Sequence, residues 1–467
     1  MIDPTIFRGY DLRGVMGKQL DEKVYYQLGR GYGAFLARRR IKECAVGYDN
    51  RNNSEIYADA FRKGLNDSGI NTINIGLSLS QIVYFSSYQY KTKGGAMVTA
   101  SHNPGEFNGL KLSVGYSDTM ITEEIQSLRK IVDNEEFVDG KGHDRKDDLF
   151  PIYKQEVLKY FDFKKKWKIV IDGCNCTAGV FCPEIFRAAG FEVIEQNTKL
   201  DGNFPLGAPD PTESEILKRL GEGVKEAKAD IGFAYDADGD RMAVVDENGK
   251  ELWMDNIISL FAKDVLEFLP GAPIVYNYLC SMQVTKTIEA AGGKPVMWTT
   301  GHSFIKAKVK EVRSPFGGEL SGHIFFMDNF YGHDDAAYAS LRLLAYLERK
   351  DQVLSEAIAQ LPQYISSPEI KLGLPDDIKF EFIRTKIKDE FQRAWPDKIL
   401  AEGDGVRTQD DSFMAIVRAS QNGPYITIKF EGKTQDKYDE VKKILKKMLT
   451  KYSEIDFSTG INKTALN

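Results

Sequence analysis

ECAVGYDNRNNSEIYADAFRKGLNDSGINTINIG, residues 43–76, is the stretch from which the fold is read. An apolar run of strand length opens it and a polar loop follows. Ile56, Ala60, Phe61 and Gly64 then recur at helical spacing, before Gly69 and a second apolar run. The spacing predicts a helix that buries this stripe. Gly69 falls where a helix ends in the left-handed conformation that a residue without Cβ adopts freely. The same order returns twice: WKIVIDGCN (167–175) leads to Gly190 and FEVIEQN (191–197), and APIVYNYL (272–279) leads to Gly292 and GKPVMW (293–298). Strands joined by helices of this length pair in parallel, because a parallel neighbour is reached only through a crossover. The reading is α/β: three similar mixed α/β domains with mostly parallel sheets.

After about residue 367 the pattern changes. Ser366, Ser367 and Pro368 read as a linker into a final region with strands FMAIVRAS (413–420) and YITIKFEG (425–432) and a Lys-rich amphipathic helix over about 435–451. A smaller C-terminal α+β domain fits that content, with the lysines on a solvated helix face. The length of 467 residues agrees, since about 150 residues per domain gives three domains with room for a fourth.

Lys+Arg 62 against Asp+Glu 68 leaves a net charge of −6, so the basic excess of a phosphate-backbone binder is missing and no nucleic-acid partner is expected. No run approaches the roughly 18 apolar residues of a membrane span, and MIDPTIFRGYDLRG at the start lacks the charged and apolar regions of a signal peptide. The chain reads as cytoplasmic, with no membrane partner. Five cysteines in this length make no disulfide framework. Cys174, Cys176 and Cys182 lie close together, but a CxC followed by one more Cys lacks a fourth zinc ligand and reads as buried small side chains.

Four loops carry chemistry. In TASHNP (99–104), directly after the apolar GGAMV, Ser101 sits at a strand end, where α/β sheets bind ligands. It is a nucleophile, a phosphate carrier or an ordinary turn residue. DADGDR (236–241) follows the strand IGFAY and puts Asp236, Asp238 and Asp240 at alternate positions. Three hard oxygen ligands on one side of an extended loop suit a divalent cation, and Gly239 permits the tight path. A calcium loop is excluded although Glu247 falls at its twelfth position, because Arg241 stands where the sharp turn needs Gly and the flanks are strands. GGELSGH (317–323) places Glu319, Ser321 and His323 at alternate positions, which suits sugar hydroxyls or a plain strand-edge turn. RASQNGP (418–424) joins Arg418 and Ser420 to a Gly/Asn turn that could cradle phosphate.

Taken together and in this order, the four loops closely resemble the signature loops of the α-D-phosphohexomutases. FRGYDLRG (7–14), FNGLKL (107–112), DGNFPLGAPDPTE (201–213) and GHSFIK (301–306) extend the resemblance along the whole chain. GELSGH and GHSFIK are similar to the phosphomannomutase/phosphoglucomutase branch, whereas the phosphoglucosamine branch tends to carry Gln at the position of Leu320.

The resemblance implies four domains around a central cleft, placed here at 1–149, 150–251, 252–367 and 368–467. Ser101 would be the phosphoserine and, with Asp236, Asp238 and Asp240, would hold one Mg²⁺. Arg13, Lys111 and Arg241 would surround the transferring phosphoryl group. Lys111 and His302 would be the proton-transfer candidates, with His323 near the reaction centre. Glu319 and Ser321 would hold sugar hydroxyls and Arg418 and Ser420 would grip the phosphate that is not reacting, with Tyr10, Gln421 and Asn422 also substrate-binding.

The implied reaction moves phosphate between the 1- and 6-positions of mannose or glucose phosphates. Its substrates are hexose 1-phosphate and hexose 6-phosphate, a hexose 1,6-bisphosphate is both intermediate and activator, and the protein is a monomer or weak dimer. Alternatives are a phosphoglucosamine mutase, a metal-dependent sugar-phosphate phosphatase using Ser101 transiently, and a non-catalytic sugar-phosphate sensor. Where the family commonly reads RASNTEP or RASGTEP, this chain has Gln421, Asn422 and Gly423 after Ser420, without the usual Thr hydroxyl.

Overall fold

The computed structural model describes residues 2–398, 400–403, 405–421 and 423–466. The segment quoted first forms strand Glu43–Tyr48, helix Ser54–Asp67 and strand Asn71–Leu77, paired in parallel. Gly69, Gly190 and Gly292 all have positive φ, as their helix-terminating positions require. The buried stripe of the helix differs from the sequence expectation. Tyr57, Ala58, Phe61, Gly64 and Leu65 are inside, whereas Ile56 is 48% exposed. The cause is the neighbouring helix Glu22–Arg38, which crosses at Gly29 and Gly64. A Cβ on Gly64 would come within 2.3 Å of the Tyr26 carbonyl oxygen, so this close approach fixes the inward face and turns Ile56 to solvent.

Each of the first three sheets contains the same four-strand unit. In the first, Phe107–Ser113, Gly94–Val98, Glu43–Tyr48 and Asn71–Leu77 are neighbours in that order. Met242–Val245, Ile231–Tyr235, Lys168–Asp172 and Glu192–Gln196 repeat it in the second, and Ile324–Phe326, Phe316–Gly318, Pro273–Asn277 and Lys294–Trp298 in the third. The last three strands of each series are parallel and the first is antiparallel. One continuous apolar core joins these units, with Met97, Phe186, Phe233, Phe261 and Phe326 among its members. The five cysteines are buried and unpaired.

The fourth sheet is antiparallel and has its own core, with helix Gln435–Leu449 packed on it. Lys443, Lys446 and Lys447 of that helix are exposed. Ser366 and Ser367 are not a solvent linker. Ile365–Ser366 is already a strand of this sheet, and Ser367 exchanges hydrogen bonds with Phe430, its amide donating to the carbonyl and its hydroxyl accepting from the N–H. Backbone pairing here overrides what composition suggests. Among the described residues no helix is long and apolar enough to cross a membrane.

Candidate active site

The repeated unit places its chemistry at one topological position. Residues 99–106, 236–241 and 319–323 each connect the third parallel strand of a unit to its antiparallel neighbour. The fourth loop, 420–424, is the turn between strands Phe413–Ala419 and Tyr425–Gly432. Four hairpin connections therefore converge, with neighbouring units stitched at the loops. Arg241 bridges to His323, the Met242 amide donates to the Gly322 carbonyl, and the Ser80 amide donates to the Asp238 carbonyl at 2.9 Å. Gly322 has φ +97, and a Cβ there would lie 2.5 Å from the Met242 carbonyl oxygen, so glycine is required.

Ser101 is buried and has φ +50. Its amide donates to Thr99 Oγ1 at 2.8 Å and its hydroxyl to Asp236 Oδ2 at 2.6 Å. Arg51, buried and paired with Asp49, holds the loop by donating to the carbonyls of Ser101, Asn103, Pro104 and Phe107. Arg13 turns to the Thr99 carbonyl at 3.1 Å and to Asp11 at 2.8 Å, bracing the same loop.

Asp236, Asp238 and Asp240 offer carboxylate oxygens that all lie within 4.8 Å of one another, and all three residues are fully buried. Lys111 donates to Asp238 at 2.6 Å and to Asp240 at 2.5 Å. Burial opposes its charge, but these carboxylates outweigh burial and raise its pKa. Burial likewise works against ionisation of Asp238, yet Lys111 and Ser80 hold it below the usual carboxylate range. Asp236 is pushed up by burial and by its two acidic neighbours. Among the described residues, the second oxygens of Asp238 and Asp240 have no hydrogen-bond partner. One ammonium against three buried carboxylates, with two acceptor oxygens left over, fits a divalent cation.

His302 and His323 face each other with ring centroids 5.3 Å apart. His302 lies 3.4 Å from Asp11 and 3.6 Å from Asp334. Burial lowers its pKa to about 4 against the pull of Asp11. His323 accepts from Arg241 at 2.9 Å through Nε2 and meets Asp334 at 2.9 Å through Nδ1. The alternation expected for Glu319, Ser321 and His323 does not hold. The Gly322 amide donates to the Glu319 carbonyl and the Glu319 amide to the His323 carbonyl, so the segment is a tight turn. Glu319 and Ser321 face the cleft and His323 turns inward to Arg241.

A cleft open to solvent lies among these loops. Tyr10, Arg241, Glu319, Ser321, Arg418, Ser420 and Gln421 line it. Glu319 Oε1 accepts from the Gly301 amide at 2.6 Å, and burial raises its pKa. Asn422 lies outside the described residues. Two cleft residues reach the hydrogen-bonded Ser101–Asp236 pair: His102, whose Nδ1 is 3.4 Å from Ser101 Oγ, and Arg241, whose amide donates to Asp236 at 3.2 Å. Sequence reasoning did not single out Asp334, Ser80, Arg51, Lys371 or Thr427. Strand periodicity gives the last two no distinction. Asp334 had a weak signal as part of the pair Asp334–Asp335 beside His333.

Models of phosphoglucomutase/phosphomannomutase alpha/beta/alpha domains I, II and III match residues 4–139, 152–249 and 253–364 in turn. A phosphomannomutase/phosphoglucomutase of Pseudomonas putida is 37% identical over 447 residues, covering 95% of each chain. A phosphoglucomutase of Neisseria gonorrhoeae is 34% identical over 452 residues, 96% of this chain and 97% of its own. The crystal structure of a phosphoglucomutase/phosphomannomutase family protein from Burkholderia thailandensis aligns with a TM-score of 0.89 at 31% identity, covering 97% of this chain and 98% of that one.

Proposed function

The chain belongs to the phosphoglucomutase/phosphomannomutase family of α-D-phosphohexomutases, and from that premise we propose how its own residues carry out the hexose phosphate mutase reaction. The enzyme is an isomerase that moves phosphate within a hexose phosphate. In our reading Ser101 is the phosphoryl carrier. The observation that carries this is its hydroxyl, buried against Asp236 at 2.6 Å with two cleft residues, His102 and Arg241, beside it.

The Ser101 Oγ–P bond breaks as the free hydroxyl of a hexose 1- or 6-phosphate forms a new P–O bond, giving the 1,6-bisphosphate. The proton of that hydroxyl passes to a neutral base and on to the departing Ser101 oxygen, which leaves with the electron pair of the broken bond and ends the step as a hydroxyl. His302, with its pKa pushed down to about 4, is unprotonated at neutral pH and is our candidate. The bisphosphate reverses in the cleft and its other phosphoryl group returns to Ser101.

Phosphoryl transfer demands positioning and charge neutralisation more than covalent help. Lys111 and Arg241 supply fixed positive charge, while Arg13 holds the loop in place. The family is metal-dependent, and one Mg²⁺ held by Asp236, Asp238, Asp240 and the phosphorylated Ser101 would add charge neutralisation at the transferring phosphoryl group. Glu319 and Ser321 hold sugar hydroxyls, with Tyr10 along the cleft wall. Arg418, Ser420, Gln421 and Asn422 hold the remote phosphate. We read the protein as a cytoplasmic monomer or weak dimer.

Glucose and mannose differ only at C2. A site that grips the hydroxyls they share discriminates weakly, because strong selectivity comes from polar partners left unpaired. A coupled assay with glucose 1-phosphate, mannose 1-phosphate and glucosamine 1-phosphate, each with and without bisphosphate, tests the reading. Bisphosphate-stimulated turnover of the first two is expected. A rate difference between them above about a thousandfold, or ~4 kcal/mol, would mean that a C2 contact governs the site. Release of inorganic phosphate without isomerisation would refute the mutase mechanism.

A further inference from the structure

On one side of the cleft, three adjacent antiparallel strands of the fourth sheet bring Lys371, Thr427 and Arg418 into one row. Lys371 pairs with Thr427, and Thr427 pairs with Arg418. Directly paired residues project from the same face of a sheet, and all three line the cleft beside Ser420 and Tyr425. Thr427 is fully buried, and among the described residues its Oγ1 has no hydrogen-bond partner. A buried hydroxyl in a native structure is normally paired, so an unpaired one in a cleft wall points to a ligand group that completes it.

Lys371 stands on one side of it with a side chain only 20% exposed. Its ammonium is 3.8 Å from Glu369 Oε1, outside hydrogen-bond range, and 5.7 Å from the Tyr425 ring centroid. Burial opposes its charge, but Glu369, Tyr425 and Asp210 outweigh burial and keep it protonated. Neighbouring strands lie about 4.8 Å apart, so the backbones of Lys371 and Arg418 are separated by about 10 Å across Thr427. Two long cationic side chains starting at that separation can converge on one anion above the threonine.

We infer that Lys371 and Thr427 are substrate-binding residues that join Arg418 in a single cradle for the non-reacting phosphate of the bound sugar. Thr427 Oγ1 donates from the floor of the cradle, while the ammonium and guanidinium close from either side. Glu369 and Asp210 hold the ammonium charged until the anion arrives. The inference rests on the mutase reading for the identity of the ligand, a hexose phosphate.

Calorimetric titration with glucose 1-phosphate, and separately with inorganic phosphate, tests it on the wild type and on Lys371→Met, Lys371→Arg, Thr427→Val and Thr427→Ser. Losing a charge-assisted contact should weaken glucose 1-phosphate binding by about tenfold or more in Lys371→Met, and losing a neutral one by about threefold or more in Thr427→Val. Lys371→Arg and Thr427→Ser should recover most of the affinity at unchanged Tm, which a merely structural role would not produce. In turnover the defect should appear mainly as a raised KM, since the contact is made in ground and transition states alike. Lys371→Gln replaces the Met variant if that chain does not fold.

Either Lys371→Met or Thr427→Val binding glucose 1-phosphate within about twofold of wild type would overturn the cradle. A wild type that binds glucose 1-phosphate without ever isomerising it would refute the mutase reading and leave the cradle standing. A wild type that isomerises while the variants bind as it does would refute the cradle alone.

Discussion

Replacing Ser101 by alanine separates the chemistry of this site from its architecture. The variant loses one buried hydrogen bond, from Ser101 Oγ to Asp236 Oδ2 at 2.6 Å, while the other Asp236 oxygen keeps the Arg241 amide at 3.2 Å. Leaving a buried acceptor unpaired costs about 1–3 kcal/mol. The backbone at 101 has φ +50, but alanine tolerates this about as well as serine, so no further strain is added. Set against a typical stability of about 5–15 kcal/mol, the chain stays folded with its melting temperature lowered by a few degrees.

Catalysis has no such reserve. The nearby Thr99 hydroxyl is committed to Asp49 at 2.7 Å and cannot carry the phosphoryl group. Turnover should therefore fall by about 10⁴-fold or more, equivalent to about 5.5 kcal/mol on the barrier. A coupled glucose 1-phosphate assay reads the rate. Intact-mass measurement after incubation with hexose 1,6-bisphosphate reads the carrier: one phosphoryl group on the wild type and none on the variant. A variant that keeps more than about one hundredth of the wild-type rate, or that gains a phosphoryl group, would refute Ser101 as the carrier.

Asp238→Asn removes a carboxylate held ionised by Lys111 and Ser80 and leaves Lys111 with Asp240 alone. It should weaken Mg²⁺ activation and lower the rate at least about tenfold. Exhaustive chelation should silence the wild type, and full activity after chelation would exclude the cation role. Arg418→Ala should lower kcat/KM by about 2–4 kcal/mol through loss of a charge-assisted contact, while bisphosphate still phosphorylates Ser101; unchanged kcat/KM would assign the remote phosphate to other residues. His302 is buried with its pKa lowered to about 4, so the unfolded chain binds more protons between pH 6.5 and about 4. Stability should accordingly fall on acidification through that window by about 1.4 kcal/mol per pH unit for this group, and the His302→Gln melting profile should be flatter there.

The strand–helix–strand units were legible because their signals are local. The apolar run within 43–48, helical spacing within 54–67 and a glycine at 69 each depend on a few adjacent residues. Ile56 was misread for the converse reason: the inward face of its helix is set by the Gly29–Gly64 crossing with a helix that precedes it in the chain. Ser366 and Ser367 looked like a linker from composition, yet strand pairing with 431–432 and the hydrogen bonds to Phe430 draw them into a sheet.

The sequence by itself determined the three repeated α/β units, the smaller last domain, the family and the identity of the reactive loops, because residue types such as TASHNP and DADGDR are chemical choices that survive without coordinates. Tertiary structure alone decided what those loops do to one another. Ser101 meets Asp236 across 135 positions of sequence, Lys111 meets Asp238 across 127, and Arg241 meets His323 across 82. It also decided that His323 meets Arg241 and Asp334, and that Lys371, Thr427 and Arg418 form a row. Spacing along a strand says which residues share a face. Only the register between strands, set by the packing of the whole molecule, says which residues of different strands share a site.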